Sequence, residues 1–314
     1  MDTSLSTSRS MNLPHNPPPL VLTSDDAVTM TVNSIEGEQM VNAPYSPAVF
    51  GPSAWFILHR AAARTNMDEE FFSWPEARKT FGDLLSNLYT MIPCEICSEH
   101  TSKYMNMYIS KRDPTSSDIL LNNHTLSLFL YTFHTSVNEN YAINKDTYVR
   151  PSYQDAIIKR FETEIPLGCS TTLDYDQDKS ITRAVFFFLF NGAAKVSPSI
   201  PVKSQMGTGQ MVVTQKFLNN QILEDLVDFF KSCWVLFPCH TKSRKIVRHT
   251  VSNMTRAQLK QKLSPRTGAF MFVYELYANS DVSKNLKRET VLRIASRFGI
   301  IIESLQTLRD NLSW

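Results

Sequence analysis

Glycine is scarce in this chain, with nine among 314 residues. So few glycines argue against a glycine-rich nucleotide-binding fold, in which closely spaced glycines let the backbone approach phosphate groups. Glycine also weakens helix interiors, so its scarcity favours a mostly helical protein. Apolar residues make up 42% of the chain, which is enough for a sizeable core.

Cysteines and long apolar runs are also few. Five cysteines are too few to stabilise a secreted protein of this length by disulfide cross-links. The longest apolar run, from Val185 to Phe190, is far shorter than a membrane span, and the polar N-terminus has no signal-peptide pattern. We therefore expect no membrane partner and an intracellular protein, in the cytoplasm, in the nucleus or in a particle assembled there.

The formal net charge is only +2, but the charge is unevenly distributed. Residues 151–314 carry 22 Lys and Arg against 14 Asp and Glu. A segment with this excess of positive charge could bind nucleic acid or an acidic partner. A solvated surface is the simpler explanation, and we do not expect nucleic acid to be a partner.

Composition and pattern divide the chain into four segments. Residues 1–45 are rich in Ser, Thr, Asn and Pro, which predicts a disordered or extended tail. Residues 46–150 predict a helical domain with the candidate site. Residues 151–178 form a mixed connector, and residues 179–314 predict a second helical domain.

Apolar residues at helical spacing predict four helices in the first domain. These helices cover residues 53–65, 74–92, Cys94 to about 109, and 123–140. Pro75 suits the first turn of the second helix, and Pro93 stops it. Four helices in so short a segment predict a compact bundle, and the predicted fold class is therefore all-α.

The most informative motif is the Cys94-x2-Cys97 pair, which follows Pro93 and is followed three residues later by His100. A Cys-x-x-Cys pair can close a small disulfide that exchanges readily with other thiols. When the pair opens a helix, the helix N-terminus favours the reactive thiolate. The motif therefore predicts thiol–disulfide redox chemistry.

The second domain repeats parts of the first in the same order. Segments beginning at Val185, Leu226 and Met271 echo those beginning at Ala54, Leu84 and Leu128. This predicts a diverged duplication. The second copy has lost the chemical side chains, since His59, Cys97, His134 and Asn138 are replaced there by Phe190, Lys242, Tyr277 and Asp281. We expect a degenerate bundle that keeps the fold without the site.

Three motifs of the first domain occur in a characteristic order. They are Gly51-x3-Trp55-x2-Leu58-His59, then Pro93-Cys94-x2-Cys97-x2-His100-x3-Tyr104, then His134-x2-Val137-Asn138. Over about residues 48–148, this arrangement resembles the Erv/ALR family of FAD-linked sulfhydryl oxidases. A long form with a degenerate second bundle is similar to the divergent members from large insect DNA viruses such as baculoviruses.

The resemblance implies that Cys94 and Cys97 are the catalytic pair and that FAD is the cofactor, held noncovalently in the bundle. The residues that the resemblance assigns to FAD binding are Gly51, Trp55, His59, His100, Tyr104, His134, Val137, Asn138, Lys145 and Tyr148. The chain departs from the family pattern in having Thr135 where an asparagine usually follows the histidine. It also shows no second disulfide pair, and we expect Cys169, Cys233 and Cys239 to be buried or incidental thiols.

The resemblance further implies a thiol oxidase that acts on protein dithiol substrates. Cys94 would form the mixed disulfide, Cys97 would face the flavin, and oxygen would be the electron acceptor, giving hydrogen peroxide. Bundles of this family pair face to face. We therefore expect either a homodimer or an internal pseudo-dimer in which residues 179–314 replace the partner.

Two alternatives remain open from the residues alone. One is a zinc-binding helical interaction module that uses Cys94, Cys97 and His100, completed by Cys239 or His124, although no second ligand pair with finger-like spacing follows. The other is a noncatalytic helical scaffold in which the two cysteines have no chemical role.

Overall fold

The computed structural model describes most of the two predicted domains. The described residues are 47–64, 74–110, 113, 116–141, 149–157, 175–196, 202–205, 211–214, 220–238, 241–265, 267–280, 282 and 288–297. The predicted tail over residues 1–45 lies outside them, as does most of the connector. Lys145, Tyr148, Cys169 and Cys239 also lie outside the described residues.

The first domain consists of four helices joined by short segments. The helices are α1 (Pro47–Arg64), α2 (Trp74–Asn87), α3 (Glu95–Tyr108) and α4 (Asn123–Tyr141). A 3-10 turn (Leu88–Met91) continues α2, and another (Asp118–Leu120) precedes α4. The second predicted helix ends as this 3-10 turn because Ile92 is extended, with φ −82° and ψ 115°. The residue before a proline avoids the helical conformation.

The second domain is also helical, and the predicted all-α class is confirmed. Its helices are α5 (Tyr175–Val196), α6 (Asn220–Ser232), α7 (Lys242–Asn253), α8 (Arg256–Leu263), α9 (Gly268–Ala278) and α10 (Arg288–Arg297). A 3-10 turn (Cys233–Leu236) follows α6. One antiparallel hairpin, β1 (Val202–Gln205) and β2 (Met211–Thr214), pairs Val202 with Thr214 and was not predicted.

A single apolar core runs through both domains. Helix α1 packs against α4 of its own domain and also against α5, and α2 packs against α6. Fully buried side chains from both domains contribute to this core, including Leu84, Leu85, Phe188 and Phe229. Burial of one such side chain contributes about 1.5–3 kcal/mol, so the interface between the domains is a substantial part of the fold.

In the part of the chain that the structure describes, no helix is both long enough and apolar enough to cross a bilayer.

Candidate functional site

The two cysteines of the motif form a disulfide at the start of α3. Cys94 and Cys97 are bonded, with their Cα atoms 5.2 Å apart, and both are half-buried. Cys94 is the N-cap residue of α3, and its Sγ accepts a hydrogen bond from the backbone N–H of Cys97 at 3.2 Å. The helix N-terminus therefore stabilises negative charge on this sulfur when the disulfide is opened.

Helix α3 carries His100 and Tyr104 on the same side as Cys97. The spacings of three and four residues place these side chains one above the other. The rings of His100 and Tyr104 are 6.5 Å apart, edge to face. The side of α3 that carries Cys97 therefore continues, away from the disulfide, with the rings of His100 and then Tyr104.

Helices α1 and α4 meet through three ring side chains. Trp55 stacks on His134 with 4.1 Å between ring centroids and 10° between ring planes. His59 is buried, and its Nε2 lies 3.2 Å from Nδ1 of His134, which is a hydrogen bond between the two imidazoles. The first and third motifs of the sequence are therefore in direct contact.

Phe133 connects this group of rings to α3. It is buried and packs edge to face on Trp55 at 5.1 Å, stacks on Tyr104 at 4.5 Å and lies 6.2 Å from His100. Phe133 belongs to the apolar pattern that predicts the fourth helix over residues 123–140, and it was not predicted as a site residue. No local signal distinguishes it, because its role depends on two other helices. We call Trp55, His59, His100, Tyr104, Phe133 and His134 the ring cluster.

The remaining predicted residues lie next to the ring cluster. Gly51 is one helical turn before Trp55, and a Cβ atom built on it would meet no heavy atom within 4 Å. Val137 is half-buried and Asn138 is exposed, and both continue α4 beyond His134. The predicted residues that the structure describes thus lie on three helices, α1, α3 and α4, with open space at the position of a Gly51 Cβ atom.

Comparison with known proteins identifies this bundle. Residues 52–155 match the model of the Erv1 / Alr family. These residues form an Erv1/Alr-type domain. A stretch of 75 residues is also 31% identical to a protein of Frog virus 3 (isolate Goorha) named "Putative FAD-linked sulfhydryl oxidase 088R". That stretch is 24% of this chain and 49% of the viral protein, so the chain spans about half the length of this relative. No solved structure matches the chain significantly.

Arg150 adds a cation at the rim of the Erv1/Alr-type domain. Its guanidinium lies 5.3 Å from the ring centroid of Tyr131 and donates a hydrogen bond of 3.0 Å to Oγ1 of Thr135. It also approaches the carboxylate of Glu139 to 3.9 Å. The resemblance assigned Lys145 to FAD binding, and Arg150 was not among the predicted residues. The only signal was an arginine shortly after the fourth helix.

The hydroxyl of Tyr104 remains protonated at neutral pH. Burial and, to a lesser extent, the neighbouring Tyr108 raise the pKa of Tyr104 to about 12, while Arg150 acts in the opposite direction. Tyr104 is therefore a neutral ring with a hydrogen-bond donor in the Erv1/Alr-type domain.

Cys233 is completely buried, and burial raises the pKa of its thiol to about 12, as expected for an incidental thiol. His124 packs edge to face on Tyr153 at 5.7 Å. Among the described residues, no three His, Cys, Asp or Glu side chains gather as a metal site. The zinc alternative therefore gains no support there.

Proposed function

We propose that this protein is an FAD-dependent thiol oxidase that introduces disulfides into protein substrates through Cys94 and Cys97. The observation that carries the proposal is the Cys94–Cys97 disulfide at the N-terminus of α3, beside the ring cluster, in a domain of the Erv1/Alr family. The net reaction converts a substrate dithiol and oxygen into a substrate disulfide and hydrogen peroxide.

The residues around the disulfide suit FAD. Flat faces of Trp55 and Tyr104 can pack against aromatic rings. Imidazole nitrogens of His59 and His134 and the amide of Asn138 can hydrogen-bond polar groups of the adenine and ribose. The open space at Gly51 lets a flat group approach the backbone of α1.

Arg150 is the described cation best suited to the pyrophosphate, because arginine donates paired hydrogen bonds to phosphate oxygens. When bound, FAD would supply the two-electron redox chemistry that protein side chains lack. Gly51, His100 and Val137 complete the residues proposed to line the cofactor, together with Lys145 and Tyr148 outside the described residues.

Thiol exchange begins at Cys94 in this proposal. A substrate thiolate attacks Sγ of Cys94, forms a mixed disulfide and releases Cys97 as a thiolate. A second substrate thiolate then attacks the substrate sulfur of the mixed disulfide and expels the Cys94 thiolate. The N–H of Cys97 and the N-terminus of α3 stabilise that leaving group. The substrate leaves oxidised, and the Cys94–Cys97 pair remains as a reduced dithiol.

The surface beside the disulfide can receive a protein substrate. Ile96 lies between the two cysteines and is 58% exposed, and Glu95 is exposed as well. An exposed apolar side chain next to the attacked sulfur favours contact with an unfolded or extended substrate segment.

A single substitution tests the proposed function. Cys97→Ser should keep bound flavin, because the ring cluster is unchanged, but should lose oxygen consumption with dithiothreitol. Cys233→Ser is the matched control, since it removes a buried cysteine of the second domain and should retain both properties. Full thiol oxidation by Cys97→Ser, or a purified wild-type protein without flavin after refolding with FAD, would contradict the proposal.

We also propose that the second domain is a diverged copy that acts as an internal partner of the first. Phe186 and Phe190 pack edge to face on Tyr277 at 5.3 and 5.7 Å. The sequence echo aligns these three residues with Trp55, His59 and His134. Helix α1 packs on α5 and α2 packs on α6, and in the proposed duplication the helices of each pair correspond to each other. Light scattering should then give the mass of one chain. A stable dimer would show that pairing between chains is retained as well.

A further inference from the structure

The segment that leads into the Cys94–Cys97 disulfide is in contact with the second domain. Both α5 and α6 pack against the 3-10 turn Leu88–Met91. This turn continues through Ile92 and Pro93 into Cys94. Three side-chain or backbone contacts from the second domain fall on residues 89–92, and each involves a different kind of interaction.

The first contact is a charged hydrogen bond. Nζ of Lys195, in the last turn of α5, donates to the backbone carbonyl of Ile92 at 2.6 Å. Lys195 is half-buried. Hydrogen bonds from an ionised donor are shorter and about twice as strong as neutral ones. Lys195 therefore fixes the carbonyl that lies two residues before Cys94.

The second contact links α6 to the helix that carries the cysteines. The carboxylate of Asp225 is buried and accepts hydrogen bonds from the hydroxyl of Tyr89 and, at 2.8 Å, from Nε2 of Gln221. The backbone carbonyl of Tyr89 in turn accepts a hydrogen bond of 2.7 Å from Oγ of Ser98 in α3. A continuous hydrogen-bonded connection thus runs from Asp225 to α3.

The third contact is a close approach of two backbones. A Cβ atom built on Gly192 would lie 2.5 Å from the carbonyl oxygen of Met91 and 2.8 Å from its Cα. Real Cβ atoms do not approach backbone atoms so closely, so only glycine allows α5 to lie directly on the turn.

We propose that the second domain holds the turn before Cys94 in place and that Lys195 and Asp225 are positioning residues for thiol exchange. This inference rests on the proposed function of the Cys94–Cys97 pair. The second domain has Lys242 and Tyr277 where the first has Cys97 and His134, and its contribution is to fix the backbone of the first domain. The positions of the two sulfurs then depend on residues more than a hundred positions away in sequence.

The expected consequence concerns the stability of the disulfide relative to the dithiol. A fixed turn keeps Cys94 close to Cys97 after reduction, which gives each thiol a high effective concentration at the other. Lys195→Met should let the turn move and lower the equilibrium constant for disulfide formation against glutathione by about tenfold. Turnover should fall by about ten- to a hundredfold, since small displacements of reacting groups have effects of that size. Lys195→Arg should restore both values to within about twofold, because it keeps a charged donor.

A second lysine of the same kind provides the control. Lys231 in α6 is half-buried and donates to the backbone carbonyls of Val251 and Met254, both within the second domain. Lys231→Met should lower thermal stability but leave the glutathione equilibrium of Cys94–Cys97 unchanged. A purely structural role for Lys195 would make the two variants behave alike, and that result would overturn the inference.

Asp225→Asn separates positioning from electrostatics. If Lys195 acted only through its charge, Lys195→Met would disfavour the cysteine thiolates and so strengthen the disulfide. Asp225→Asn would then shift the dithiol–disulfide equilibrium in the opposite direction. Positioning predicts that both variants weaken the disulfide. Opposite shifts, or wild-type equilibria in both variants, would refute the proposal.

The glutathione equilibrium of the Cys94–Cys97 pair can be measured without bound flavin. Failure of the proposed oxidase function would therefore be recognised separately, because the wild-type protein would then lack flavin and would not consume oxygen.

Discussion

Phe133 gives the sharpest prediction about the ring cluster. Its ring is 2% exposed and touches Trp55, Tyr104 and His100, which come from two other helices. Phe133→Ala would leave a cavity among these rings. Truncation of a buried phenylalanine destabilises a protein by about 3–5 kcal/mol, of which each lost ring pair contributes about 0.5–1.5 kcal/mol.

The matched control for Phe133 is Phe272→Ala in the second domain. Phe272 is 1% exposed and packs edge to face on Phe230 at 5.3 Å, so the cavity should destabilise the protein by a similar amount. Urea unfolding measures the stability of each variant, and equilibrium dialysis measures its affinity for FAD. We expect both variants to lose stability, but only Phe133→Ala to lose most of its FAD affinity.

Phe133→Leu keeps most of the volume and removes the ring. It should destabilise the protein by less than Phe133→Ala, about 1–1.5 kcal/mol, and should still weaken FAD binding because Trp55 and Tyr104 lose their common neighbour. Wild-type FAD affinity in both Phe133 variants would refute the assignment of the ring cluster to the cofactor.

Two further predictions follow from the pKa values of single groups. Burial raises the pKa of Cys233 to about 12. In a variant that also carries Cys169→Ser and Cys239→Ser, a maleimide should therefore leave Cys233 unmodified at pH 8 until the protein is unfolded. Rapid labelling of the native protein would contradict the burial of Cys233. The pKa of Tyr104 is about 12 in the folded protein and about 10 in the unfolded chain. The stability that this pKa shift contributes is therefore complete below pH 10 and is lost as the pH rises towards 12. Tyr104→Phe should therefore lose less stability than the wild type over that interval in urea unfolding, and parallel pH curves for the two proteins would show that the shift is absent.

The helices of the first domain were predictable because their signals are local. The predicted 123–140 segment corresponds to α4 (Asn123–Tyr141), since apolar residues recur there at helical spacing. The end of α2 was predicted a few residues late, since the chain tightens into a 3-10 turn before Pro93. The start of α1 at Pro47 was missed because Pro52 lies inside the helix, and a proline there usually indicates a boundary.

The parts that sequence could not predict depend on contacts between distant segments. Phe133 and Arg150 carry ordinary core and surface signals, and only the packing of α1, α3 and α4 gives them a place at the site. Lys195 is 103 residues from Ile92 along the chain. A local pattern cannot encode such a pairing.

Anaerobic reduction of the purified protein tests the central claim most directly. Dithiothreitol added without oxygen should bleach the flavin absorbance of the wild-type protein, because electrons from the reduced Cys94–Cys97 pair reach the bound cofactor. Cys97→Ser should bind the same amount of flavin and remain yellow under the same conditions. Equal bleaching of both proteins, or no flavin in either, would contradict the account.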